Sequence, residues 1–133
     1  MTNPLFEGKE TIIKETIRLA NEIALAEEKH SQDELFYSSD ELQSHPAVKE
    51  KEKALDEFLD TLKYEDIQLL QTIMYLGRDN EHQEGETPEE IYQQKFDSLL
   101  WNENKHIEVN QMTGKQQLGD YLTNGAKLLN ITL

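Results

Sequence analysis

Residues 67–76, Ile-Gln-Leu-Leu-Gln-Thr-Ile-Met-Tyr-Leu, are the most apolar run of the chain and the strongest constraint on its fold. Leu69, Leu70, Ile73, Met74 and Leu76 occupy more than one helical stripe, so a helix here must be covered on more than one side. The sequence predicts a central buried helix at 65–76, stopped by Gly77, which tolerates the left-handed backbone that ends helices. Arg78, one of only two arginines, follows directly.

The rest of the chain fits a partner set of helices. Leu outnumbers Val by 18 to 2, and unbranched side chains lose little rotamer freedom in a helix. Leu, Ile, Val and Phe make up 33 of 133 residues, about a quarter, above the roughly 20% below which a chain tends to stay disordered. The expectation is one all-α domain spanning 1–133.

A first helix is predicted from about Lys9 to His30, with Ile13, Ile17, Ala20 and Ala24 as its stripe. Ser and Asp crowd residues 31–45 and offer the backbone local alternatives to helix, so a long loop is expected there. Pro46 suits the first turn of a second helix carrying Val48, Leu55, Phe58, Leu59 and Leu62. A break near Lys63-Tyr64 leads into the central helix, and residues 79–86 read as an acidic loop.

Thr87-Pro88-Glu89-Glu90 is a capping-box start for a fourth helix, predicted to run past Trp101 to about Asn110. Thr113-Gly114-Lys115-Gln116 reads as a second such start, for a last helix with Leu118, Tyr121, Leu122, Leu128 and Leu129. The predicted architecture is about five helices in a single irregular bundle around 65–76.

Two of these segments carry a family likeness. Ile73-Met74-Tyr75-Leu76-Gly77-Arg78, followed downstream by Leu118-Gly-Asp-Tyr-Leu-Thr-Asn-Gly, resembles a family of small, mainly bacterial proteins catalogued only as a domain of unknown function. Members have a helix ending in Met-Trp-Leu-Gly-Arg-Gly and a later Leu-x-x-Tyr-Leu helix followed by Gly. Tyr75 stands here in place of the Trp and Asp79 in place of the second Gly. The resemblance covers about 55–130 and implies a helical fold with no assigned activity.

Composition removes several functions. Without Cys there is no disulfide, thiolate metal site or cysteine nucleophile. The amino terminus shows no basic-then-apolar secretory pattern, and no run approaches the ~20 apolar residues of a membrane span, so a cytoplasmic, non-membrane protein is expected. With 27 acids against 13 bases and a formal net charge of −14, phosphate is repelled and direct nonspecific nucleic-acid binding is disfavoured.

Two Glu-x-x-His patterns, Glu27–His30 and Glu103–His106, have the spacing that places both side chains on one helical face. Paired in a bundle with two further carboxylates, such as Glu15 and Glu57, they would form a di-metal centre. Charge density alone accounts for the motifs, so no metal or cofactor is expected, and the metalloprotein stands as the alternative reading.

Arg78 is a candidate contact for an anion or a partner, or simply complements the negative end of its helix. Tyr92, Trp101 and Tyr121 are candidates for an aromatic interaction patch or for core. Residues 79–90 hold six acids, which makes a nucleic-acid mimic the third reading. No phosphate loop or nucleophile elbow is present. The leading expectation is a non-enzymatic helical module that binds another protein or itself.

Overall fold

A computed structural model describes residue 6 and residues 8–33, 46–80, 85–101, 103–115 and 117–133, the side chains of 30–33 excepted. These residues are all-α, with no strand among them. The described residues form six helices where about five were expected: α1 Glu10–Asp33, α2 Pro46–Asp60, α3 Tyr64–Asp79, α4 Pro88–Ser98, α5 Lys105–Thr113 and α6 Leu118–Leu128. The expected loop at 31–45 begins later, since α1 runs to Asp33; residues 34–45 lie outside the described set, as do 81–84 of the acidic loop.

The central helix is the apolar hub that its sequence demands. Leu70, Ile73 and Met74 are completely buried, and α3 packs against α4, α5 and α6. On the other side, α1 packs against α2 and α6, and α2 against α5. Lys9 Nζ reaches Asp66 Oδ1 at 2.7 Å, tying the start of α1 to the first turn of α3.

Gly77 does not stop α3. The helix continues to Asp79, and Asn80 takes the left-handed cap at φ 51°, its N–H donating to the Leu76 carbonyl at 2.8 Å. Gly77 is instead where α3 meets α6. A Cβ there would overlap the carbonyl oxygen of Tyr121 and lie 2.7 Å from the Gly125 nitrogen. The family-like motif thus marks a helix crossing, with the stop three residues later.

The fourth helix also departs from expectation. Thr87 caps it as predicted, accepting from the Glu90 N–H at 3.2 Å. It ends at Ser98, however, because Leu99 is extended (φ −84°, ψ 144°). Trp101 turns back onto the finished helix, its indole Nε1–H donating to the Phe96 carbonyl at 3.2 Å. A separate α5 then starts under Asn104, whose side chain accepts from the N–H groups of His106 and Ile107. Asn is a strong N-cap because its short side chain reaches those free donors.

The second capping-box reading fails. Thr113 ends α5, Gly114 is its C-cap, and α6 begins at Leu118 without a side-chain cap.

A candidate binding cleft between α1, α2 and α6

One face of α1 carries Thr16, Ala20 and Ile23, and one turn further the same face presents Glu27. On α2, Glu52 and Asp56 share a face one turn apart and flank Leu55. The packing of α1 on α2 opposes the two faces, and the α5–α6 turn closes the end with Thr113, Gly114 and Lys115. The result is a cleft of about 270 Å³. Ala20, Leu55 and Leu118 lie buried beneath it with Ile23 partly exposed, and its rim carries Glu27, Glu52 and Asp56.

Electrostatics sets this rim apart from the other acidic surface. Burial pushes the Glu27 carboxyl above its ordinary range, and the charge of Glu52 pushes it further. Glu52 is raised first by burial and then by Asp56, with Lys49 opposing. Asp56 is raised by burial and by Asp60, against the pull of His106. Lys115 is the only cation on the described lining, and its ammonium lies 5.9 Å from the centre of the Tyr75 ring. Glu27 and Glu52 are half-buried and Asp56 exposed, with Lys49 and His106 opposing part of their repulsion.

The opposite arrangement holds at Asp79. Arg78 Nε donates to Asp79 Oδ1 at 2.8 Å, and Lys95 Nζ to Oδ2 at 3.0 Å. The Arg78 hydrogen bond, with help from Lys95, holds that carboxyl below its usual range despite partial burial. The Arg78 guanidinium also sits over the Tyr75 ring, 4.5 Å from its centre. Its charge is shared between a carboxylate and a ring at the end of α3, the place where a helix favours a cation.

The aromatic candidates separate. Tyr92 is buried, meets Phe6 edge-on with ring centres 5.3 Å apart, and has its hydroxyl pKa pushed up to about 12, chiefly by burial. Phe96 joins it to Trp101, whose ring centre is 5.1 Å away. Tyr121 lies instead at the α3–α6 crossing, where its backbone faces Gly77 and its phenol lies in the field of Arg78. Tyr92 and Trp101 thus belong to one row that seals α4, and Tyr121 to another face.

The Glu-x-x-His residues are placed as follows. Glu103 precedes α5 with φ 57°, so it and His106 do not share a helical face as their spacing suggested. His106 lines a second groove with Asp56, Glu57 and Asp60 of α2, while Glu27 lines the cleft. Glu15 is engaged by Arg18, whose Nε donates to Oε2 at 3.1 Å. The His30 side chain lies outside the described set. Among the described residues, no three His, Asp or Glu side chains are grouped to hold a metal ion.

Glu52, Asp56 and Lys115 were not singled out by sequence reasoning. The signal available for the first two was their like charge at a spacing of four, which isolated helices disfavour. Among the described residues no helix is long and apolar enough to cross a membrane. A comparison with known proteins finds no matching family model, no matching curated protein and no matching solved structure.

Proposed function

We propose that this chain is a non-enzymatic cytosolic helical module, one irregular bundle, that works by docking a partner protein in the cleft between α1, α2 and α6. The observation that supports this reading is the carboxylate rim of Glu27, Glu52 and Asp56, beside which Lys115 is the only cation on the described lining. Folding alone does not favour crowded like charges, whereas a complementary partner would relieve them. The family whose motif α3 and α6 resemble has no assigned activity, so the reading rests on the cleft.

The chain has no cysteine, which allows a photo-crosslinker to be placed at single engineered positions. Attached at Lys115→Cys in the cleft, it should give protein adducts in cells that are absent when it is attached at Asp97→Cys on α4. Equal adduct patterns from both positions would contradict the docking reading.

A further inference from the structure

We propose that α5 is a conformational strap: it unwinds locally from α2 and α3 while the other described helices stay folded. Nothing in this requires the cleft beside it to be a docking surface.

The sequence gives α5 little helical stability of its own. Its nine residues, Lys-His-Ile-Glu-Val-Asn-Gln-Met-Thr, include no Ala or Leu. Ile107, Val109 and Thr113 are β-branched and lose rotamer freedom in a helix. Isolated helices shorter than about 12–15 residues are marginal in water even when built from better formers. The segment is bounded by Glu103, whose backbone is left-handed at φ 57°, and by its C-cap Gly114. Its helix therefore depends on what the buried face meets.

That face is short of apolar surface. It buries Val109 and Met112, but its third buried residue is Glu108, with no exposed surface at all. Taking a carboxylate out of water is costly even where it finds a partner. Across the interface, Gln71 of α3 is 2% exposed, and its Nε2 donates to Gln111 Oε1 at 2.7 Å. Gln71 Oε1 is shut off from solvent and accepts from no described protein group. A buried amide with one end unpaired weakens the contact it belongs to. By contrast, α6 meets α3 with backbones in contact at Gly77 and Gly125, and buries Leu118, Leu122 and Ala126.

The start of α5 is tethered. The Tyr64 hydroxyl accepts from the Glu103 N–H at 3.1 Å, and Lys105 Nζ donates to the Asp60 carbonyl at 2.6 Å. Opening is therefore unwinding in place rather than departure. Because α5 passes through Thr113 into Gly114 and Lys115, its opening also remodels the end of the cleft that these residues close.

Native-state hydrogen exchange on the whole chain, in urea below the unfolding midpoint, reads this opening directly. Corrected for intrinsic rates, the amides of Val109, Gln111 and Met112 should exchange at least about a hundredfold faster than those of Ile73, Met74 and Leu122. Their exchange should also respond only weakly to urea. Protection equal to that of α3, with the same steep urea dependence, would mean that α5 opens only in global unfolding and would overturn the proposal.

One substitution tests the cause. Gln71→Leu replaces the partly paired amide with an apolar side chain of similar size, and should slow α5 exchange by about tenfold or more. Unchanged or faster α5 exchange in that variant would show that the amide pair does not weaken the contact, and would overturn the proposal as well. A Gln71→Leu chain that failed to fold would leave the comparison within the parent chain to decide.

Discussion

Gly77 and Gly125 let α3 and α6 cross with their backbones in contact. A Cβ on Gly77 would lie 2.7 Å from the Gly125 nitrogen, and a Cβ on Gly125 would lie 2.8 Å from Ile73 Cγ2 and 2.9 Å from the Ile73 carbonyl carbon. Backbone atoms cannot swing aside as a side-chain end can, so the helices would have to separate. Gly77→Ala and Gly125→Ala should each cost at least about 2–3 kcal/mol in denaturant unfolding, the upper range for overpacking. Gly114→Ala meets only the Asn110 carbonyl oxygen at 3.3 Å and should cost under about 1 kcal/mol. Similar costs at all three positions would contradict this crossing.

The end of α3 gives a second expectation. Asn80 holds a left-handed backbone at φ 51°. Asn80→Ala should lose about 1 kcal/mol, because it removes the short polar side chain that lets Asn tolerate this backbone, while Asn80→Gly, with no Cβ to clash, should be neutral or better. Equal effects of the two changes in thermal unfolding would place the stop elsewhere.

Why the sequence misleads at Gly77 but succeeds at Ile73 is a matter of which force each residue reports. Ile73 lies in a run apolar on several sides, and only burial satisfies such a run. A Gly near a helix end, by contrast, is required equally by a left-handed cap and by a close backbone approach, and the alphabet does not separate the two. Ile73→Ala should accordingly cost about 2–4 kcal/mol, the range for truncating a large aliphatic in a packed interior. A loss below about half a kcal/mol by denaturant unfolding would mean a different core.

The break after Ser98 was hidden for another reason. Leu99, Leu100 and Trp101 continue a helical apolar pattern, yet the indole finds both a ring and a carbonyl on Phe96. Asn104 is a readable cap, but the apolar pattern before it carries no break. The cleft was illegible for a deeper reason: Glu27 and Glu52 meet only through the packing of α1 on α2, which no local pattern encodes.

The cleft makes stability depend on pH in a definite direction. Glu27, Glu52 and Asp56 have raised carboxyl values in the fold, so their penalty is full above those values and disappears as pH falls to the ordinary range near about 4. Asp79 is held low, and its contribution, present above the ordinary range, is lost only as pH falls through its depressed value. Stability should therefore rise as pH falls from neutral toward the ordinary carboxylate range, then fall as Asp79 is protonated below it. A maximum at pH 7 or above in urea unfolding would contradict this.

Metal analysis addresses the alternative reading. Because Glu103 lies before α5 and His106 faces acids of α2, purified protein should carry well under one equivalent of iron, manganese or zinc. A chelator should leave the unfolding midpoint unmoved, since losing a native-state ligand lowers apparent stability. Near-stoichiometric metal that disappears in His30→Ala or His106→Ala would favour the metalloprotein.

The central claim is that the rim carboxylates of the cleft are held together against their own repulsion, to serve a partner and at a cost to the fold. Its most direct test is the unfolding free energy of Glu27→Gln/Glu52→Gln/Asp56→Asn at neutral pH and low salt, where screening is weakest. The account predicts a variant more stable than the parent by about 0.5 kcal/mol or more, the usual gain from relieving surface charge. A variant equally or less stable would show that these carboxylates cost the fold nothing, and would contradict the account.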